Sequence, residues 1–307
     1  MLEPAELFPE VPNLYEYLSV HSDMVYDEER VNRYALAINH QVNRGDIVVD
    51  IGTGTGLLAF LCIRAGAERV HAIERSTAIN WAKLLADHHD LSDKIIFYSG
   101  DSRNISLPEK ADIIISELIG HMAFEEGMVE SLYDAKSRFL NPDGAIIPQN
   151  VSLNLAPVYE KEIYKTYIDR WEKAWGIEYS LLRKYAVKSC YLTEIKSENL
   201  MAIPQTLFSV DFMKNDDIQD LKGTAQFKIS RIGNVNGIAL WFDAVLSPKV
   251  HLSSGPWKRT HWMQCFAPLE KSMPVKAGDK LYIDIDMQLC TKDNDSFGFE
   301  FEIRKED

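Results

Sequence analysis

Val48-Val49-Asp50-Ile51-Gly52-Thr53-Gly54-Thr55-Gly56 is the stretch whose reading decides the fold. A β-branched run enters it, three alternating glycines form its loop, and the apolar stretch Leu57 to Arg64 leaves it as a helix. Strand, glycine loop and helix open a parallel α/β unit, where missing side chains let a ligand approach the backbone. A tight turn without a ligand is the competing reading, and three glycines in alternation weigh against it. Downstream the alternation continues: Val70 to Ile73, a helix over Thr77 to His88, Ile95 to Tyr98, then Ile113 to Ile115. A helix from Met128 to Phe139 meets the stop signal Asn141-Pro142-Asp143-Gly144, and a last strand runs from Ala145 to Ile147. Continuous apolar strands separated by helices predict an α/β, Rossmann-like doubly wound sheet covered on both faces. Upstream, Val11 to Asn43 reads as helical, with Val20, Met24, Val31, Tyr34, Ala35 and Ile38 at helical spacing.

Past Pro148 the grammar changes. Tyr159 to Tyr185 is a polar, aromatic helical stretch holding Trp171 and Trp175. Six β-like runs follow: Thr206 to Phe212, Ala225 to Ile232, Gly237 to Leu246, Thr260 to Phe266, Lys280 to Leu289 and Phe297 to Ile303. Gly233-Asn234 and Ala277-Gly278-Asp279 read as hairpin turns. The expected organisation is a helical segment over 1–45, a ligand-binding sheet domain over 46–150, and an antiparallel β domain over 151–307 with a helical insertion.

Bulk properties exclude several classes. No apolar run approaches the roughly 18 residues that span a bilayer, so no membrane partner is expected. The acidic first ten residues are neither a secretory nor a transit signal. A formal charge of −13 opposes nucleic-acid binding, which needs a basic surface, and suits steering of a cationic partner. Cys62, Cys190, Cys265 and Cys290 have no metal-ligand or redox spacing, so no metal is expected. The reading is intracellular: the cytoplasm, with the nucleus open to the protein.

The loop spacing is G-x-G-x-G, and Asp50 stands two residues before the first glycine. A carboxylate against that loop repels a pyrophosphate but pairs with the ammonium of a methionine moiety, which favours S-adenosylmethionine over a dinucleotide. Glu74 ends the second strand, where an acidic side chain takes both ribose hydroxyls. Asp101 ends the third and is a weaker candidate for the adenine edge. Glu117 closes the fourth strand, and Glu126 stands nine residues on. Two carboxylates facing one site need a cation between them, and the five donors of a guanidinium supply it in fork geometry. Glu125 reads instead as an acid favouring the N-terminus of the following helix.

At this point the chain resembles the protein arginine methyltransferase family over nearly its whole length. Val48 to Gly56 is similar to the family's donor loop, and Ser116-Glu117 through Glu126-Gly127-Met128 to its double-glutamate loop. Thr260-His261-Trp262 is similar to its threonine-histidine-tryptophan loop. Tyr15, His21, Met24, Asp27 and Arg30 match its N-terminal segment, which folds over the donor. The resemblance implies an antiparallel β-barrel after the sheet domain. It also implies a dimerisation arm over about 159–185, a homodimer, S-adenosyl-L-methionine as donor and S-adenosyl-L-homocysteine as product.

By position, Arg30, Asp50, Gly52, Gly54, Gly56 and Glu74 hold the donor, with His21, Met24 and Asp101 beside it. Glu117 and Glu126 hold the guanidinium, His261 pairs with Asp27, and Tyr15, Met128 and Trp262 line the acceptor channel. Met24 and Met128 match methionines of members that make asymmetric dimethylarginine. The chain departs from the family's pattern at Val11, Arg103, Leu118 and Glu125, around the adenine and acceptor sites. The acceptor is thus arginine in a protein or peptide, or alternatively free arginine or a small guanidine compound. A catalytically silent partner of an active homologue is the reading from another class.

Overall fold

The computed structural model describes Tyr15, residues 17–214, 220–289 and 297–306. The expected helix start at Val11 and the position of Cys290 lie outside the described residues. The chain forms two compact units: residues up to Glu117 with Ser131–Gln149 and Leu246–Val250, and Leu118–Glu130 with Asn150–Val245 and His251 onward.

In the first unit α1 (Leu18–Val25) and α2 (Glu28–Gln41) replace one continuous helix. The break falls at Asp27, whose side chain accepts from the Arg30 backbone amide and caps α2, with Glu28 and Glu29 following in its first turn. A short polar side chain offers the backbone this alternative to continuing the previous helix. Then come β1 (Ile47–Ile51), α3 (Leu57–Ala65), β2 (Arg69–Glu74), α4 (Ile79–His88), β3 (Ile95–Ser99), β4 (Ala111–Ser116), α5 (Met128–Phe139) and β5 (Leu140–Ile147).

The five strands are parallel and lie in the order β3-β2-β1-β4-β5. β1, β2 and β4 are buried along nearly their whole length, as a sheet covered on both faces requires. Asn141-Pro142-Asp143-Gly144 does not separate helix from strand. β5 begins at once, and the pairing slips from Ala111↔Leu140 to Ile113↔Ala145, so the turn chemistry is spent on a bulge. Strand order reverses between β1 and β4, the crevice where open α/β sheets bind ligands.

The second unit is antiparallel. β6 (Asn150–Val158), β9 (Tyr191–Thr193), β10 (Gln205–Asp211), β12 (Gly233–Ser247) and β14 (Gln264–Val275) form one sheet in the order β10-β6-β12-β14-β9, with β13 (Val250–Ser253) on β12. β11 (Asp220–Lys228), β15 (Lys280–Gln288) and β16 (Gly298–Lys305) form another. Alternation is plain on β15, where Leu281, Ile283, Ile285 and Met287 point inward. Gly233-Asn234 is not a hairpin turn: it begins β12 and pairs with Val275 and Pro274. Ala277-Gly278 does turn the chain, but it joins strands of different sheets.

The stretch read as one helix is α6 (Lys161–Tyr167), a tight turn over Asp169–Trp171, a two-residue hairpin of β7 (Lys173–Ala174) and β8 (Ile177–Glu178), and α7 (Ser180–Ala186). Trp175 and Gly176, both at positive φ, make the hairpin tip. Tyr164, Ile168 and Ala186 root this arm against Trp241, Ala239 and Phe266, and the Tyr164 hydroxyl donates to the Leu269 carbonyl at 2.8 Å.

Candidate active site

The β1–β4 register brings two chain exits together. Ile51 pairs with Ser116, and the Ser116 hydroxyl donates to the Ile51 carbonyl at 2.9 Å. Gly52 and Glu117, the next residues, therefore leave neighbouring strands side by side, about 5 Å apart in the pairing direction. Gly52, Gly54 and Gly56 have φ of 75°, 55° and 87°, a left-handed path closed to most side chains. A Cβ at Gly54 would stand 3.2 Å from the His21 ring, and one at Gly56 3.0 Å from the Phe60 ring. His21, buried, lies over this turn, with its Nε2 bonded to the Tyr15 carbonyl at 2.9 Å and its ring edge-on to Trp81. A carbonyl can only accept, so Nε2 carries the proton.

Asp50 and Glu74 flank the loop. Glu74 accepts from the amides of Gly54 at 2.9 Å and Ser76 at 2.7 Å, one on each oxygen. Asp50 is fully buried; its Oδ2 accepts from the Thr53 hydroxyl at 2.6 Å, and its Oδ1 has no protein partner. Burial pushes its carboxyl up to about 7, helped by the Glu74 charge and opposed by the Thr53 hydroxyl, the Ala59 amide and Arg30. A desolvated carboxylate with one idle oxygen is an acceptor waiting for a cation.

Arg30 occupies the middle of this unit. Its Nε and Nη2 bond Glu117 Oε2 at 2.7 and 2.6 Å, and its Nη1 donates to the Met24 carbonyl at 3.0 Å. Both side chains are almost dry, 9% and 5% exposed. Beneath them Tyr34, completely buried, donates its hydroxyl to the Ser116 carbonyl at 3.1 Å, and its own ionisation is held well above the usual range by burial and by Glu117. Asp27 caps the helix that carries Arg30. Arg30, Glu117, Asp50, Glu74, Met24, His21, Tyr15 and the three glycines thus belong to one unit. Asp101 belongs to it too, but its carboxylate is gripped by Arg103 Nε at 2.9 and 3.0 Å, which keeps it below the usual carboxylate range.

In the second unit Leu118–Glu130 and the Thr260-His261-Trp262 turn are stitched together. The Trp262 indole donates to the Ile119 carbonyl, and His121 Nδ1 to the Trp262 carbonyl, each at 2.7 Å. Trp262 packs edge-on to Phe242 and is 2% exposed, so its indole supports the turn. The His261 and Trp262 rings are 4.0 Å apart, and Met263 closes the turn at a φ of 52°. Met128 is buried. Glu125 does not serve a helix N-terminus: its carboxylate folds back onto the Met122 amide at 2.8 and 3.0 Å. Glu126 follows it at the same turn.

Sequence reasoning gave Thr53, Tyr34 and His121 no part in the site, and it gave Glu125 the part of a helix-end acid. Thr53 was legible, standing inside the glycine loop three residues after Asp50. Tyr34 and His121 carried no signal, since their partners are backbone carbonyls 82 and 141 residues away.

Comparison with known proteins accounts for both units. Residues 149–306 match the family model described as the arginine methyltransferase oligomerization subdomain, and residues 48–144 match a methyltransferase domain. The chain is 35% identical to the probable protein arginine N-methyltransferase 6 of Arabidopsis thaliana over 80% of its own length and 58% of the relative's. To protein arginine N-methyltransferase 1 of Schizosaccharomyces pombe it is 31% identical, over 86% of this chain and 80% of that one. In fold it is similar to a chain of the Trypanosoma brucei PRMT1 enzyme-prozyme heterotetrameric complex with AdoHcy, with a TM-score of 0.87 at 21% identity, each chain 96% covered. It is also similar to the crystal structure of PRMT6-SAH, with a TM-score of 0.77 at 23% identity over 94% of this chain and 100% of that one.

Proposed function

Because the chain belongs to the protein arginine methyltransferase family, a group of S-adenosylmethionine-dependent enzymes, we propose that it methylates guanidino nitrogens of arginine in proteins or peptides. The observation that carries this reading is the Arg30–Glu117 pair. Glu117, at the mouth of the β1–β4 crevice, already holds a planar guanidinium by two contacts in a nearly water-free setting. The chemistry of the acceptor is thus present in the resting protein.

The donor's features fit the first unit. The left-handed glycine turn leaves its backbone open to a close ligand, and the idle Asp50 Oδ1 suits an ammonium group. Bound S-adenosylmethionine supplies an electrophilic sulfonium methyl. Asp50 holds the donor's ammonium, Arg30 its carboxylate, and Glu74 its ribose hydroxyls through the lone pairs its two amide contacts leave free. His21 excludes water from above Gly54.

Glu117 orients one edge of the acceptor guanidinium, and the family resemblance gives Glu126 the other. Both reactants are cations, so orientation and carboxylate charge must offset their repulsion. A guanidinium pKa above about 12 defeats pre-ionisation by a carboxylate, so the proton leaves with or after methyl transfer. Glu126 or His261 receives it.

Turnover of a radiolabelled donor, compared on an Arg/Gly-rich peptide, a protein and free arginine, tests the reading. Glu117→Gln and Glu126→Gln should abolish turnover on the peptide while donor affinity persists. Turnover on free arginine alone, or normal rates in either variant, would overturn the assignment. In the same reading the protein is a cytoplasmic homodimer assembled through the 161–186 arm, where Trp175, Ile177, Leu181 and Tyr185 are exposed apolar groups.

A further inference from the structure

The residue just before Glu126 is built into the fold in a way that nothing in the donor site explains. Glu125 sits in a loop of unusual backbone. Gly120 and Ala123 form an isolated antiparallel bridge, Ala123 has a φ of 73°, and Gly127 has a φ of 72°. A non-glycine residue in the left-handed region costs energy unless its surroundings impose it. Here the imposing group is the loop's own side chain. Both Glu125 carboxylate oxygens accept from the Met122 amide, and the amides of His121, Phe124 and Glu125 itself also draw on the same charge. Successive amides converging on one anion make a nest, the backbone arrangement that elsewhere holds phosphate.

The fit leaves no room at Gly120, where a Cβ would come within 2.1 Å of the Glu125 carboxyl carbon. The loop is in turn tied to its neighbours, through Ile119 to the Trp262 indole and through His121 to the Trp262 carbonyl. We infer that Glu125 is a positioning residue: its carboxylate is the internal anion around which residues 120–125 are wound, and it thereby aims Glu126 and couples that loop to the Thr260-His261-Trp262 turn. This rests on the proposed arginine methylation for its consequence, but not for its geometry.

A carboxylate withdrawn this far from water is half-buried at a cost, and desolvation raises its pKa against the pull of four amides. A loop needing only to be folded would do so more cheaply with an apolar side chain in that place. What the charge adds is direction, because an ionised carboxylate offers more acceptor sites than a neutral amide or acid and holds each amide more strongly. Among the described residues the ionisable groups around it include the thiols of Cys190 and Cys265, which feel its charge and lie within contact of each other, with His121 and Glu126 in its own loop. Neither thiol neutralises it, and the amides of Met122, His121, Phe124 and Glu125 oppose the cost of its burial.

The test uses the full-length protein and Glu125→Gln, with Glu125→Asp as the conservative variant. Hydrogen exchange of the peptide spanning 118–128, normalised to intrinsic rates, reads the winding without any assay of activity. In the wild type protection should fall as pH drops through a value above the ordinary carboxylate range, and in Glu125→Gln it should be low at every pH. Steady-state kinetics should show acceptor KM raised about tenfold in Glu125→Gln. The donor dissociation constant should be unchanged, and Glu125→Asp should restore part of the KM. Equal protection in wild type and Glu125→Gln overturns the winding. Lost protection with unchanged acceptor KM overturns the positioning role. A wild type that methylates no arginine substrate overturns the methylation reading, while the exchange measurement still reports on the loop.

Discussion

Removing Arg30 puts the resting charge arrangement to its most direct test. Arg30 and Glu117 are 9% and 5% exposed and meet through two contacts, so solvent screens neither charge appreciably. Deleting one partner of such a pair leaves a buried charge uncompensated, which costs roughly 3–5 kcal/mol. Losing the bond to the Met24 carbonyl adds about 1 kcal/mol. At roughly 2–4 °C per kcal/mol for a domain of this size, Arg30→Met should lower the ligand-free melting temperature by about 8–24 °C. Methionine keeps the stem volume, so the loss reports on charge more than on packing. Adding Glu117→Gln removes the stranded carboxylate, and the double variant should recover about 2–3 kcal/mol relative to the sum of the singles. Near-UV circular dichroism during heating, with a matched denaturant titration, measures all four corners of the cycle. The reasoning is refuted if Arg30→Met costs under about 2 °C, or if the two changes add within about 0.5 kcal/mol.

Asp50 gives a pH prediction whose sign is fixed by burial. Its folded pKa of about 7 lies above the ordinary aspartate value of 3.8, so the folded state binds the proton more tightly. Its contribution is therefore fully present below about pH 4 and is lost as pH rises through about 7, roughly 4 kcal/mol in all. Thermal scans from pH 5 to 8 should show a downward slope that Asp50→Asn flattens, and donor affinity should rise over the same interval in the wild type only. The arm supplies the other expectation. Trp175 is 99% exposed and Leu181 77%, so Leu181→Glu should halve the solution mass measured by light scattering without lowering the melting temperature of the isolated chain. A wild-type mass equal to one chain would remove the assembly from consideration.

The sheet was legible because its strands are buried on both faces and so appear as unbroken apolar runs, as in Ile113-Ile114-Ile115. The glycine loop was legible because left-handed backbone tolerates few other residues. What escaped was whatever depended on pairing across long sequence intervals. Gly233-Asn234 has the composition of a turn, yet its partner is Pro274-Val275, some forty residues away, and no local rule reports that. Asp101 stands just past the end of β3, and its pairing with Arg103, two residues on, was not read from the sequence. Glu125 reads as a helix-end acid because only three dimensions reveal its own amides curling around it. The cap at Asp27 was the avoidable miss, since Asp-Glu-Glu before an amphipathic run is a helix start.

The carboxylates share one electrostatic theme. Asp50, Glu74 and Glu117 are all withdrawn from water in the first unit, and Arg30 is the cation that answers Glu117 and tempers Asp50. Left alone, Asp50 destabilises the fold at neutral pH, because its ionised form is desolvated and faces Glu74 with one oxygen idle. A fold selected for stability alone would replace Asp50 with a neutral residue. Its retention makes sense if the functional state contains positive charge that the resting state lacks. The proposed donor is a sulfonium with an ammonium group, and the ammonium would neutralise the Asp50 charge that the fold holds at a cost. Binding should therefore stabilise the protein beyond the contacts formed, with the excess largest above pH 7 and absent in Asp50→Asn. An equal ligand-induced melting shift in both proteins at pH 8 would show that the carboxylate is not being held for the ligand.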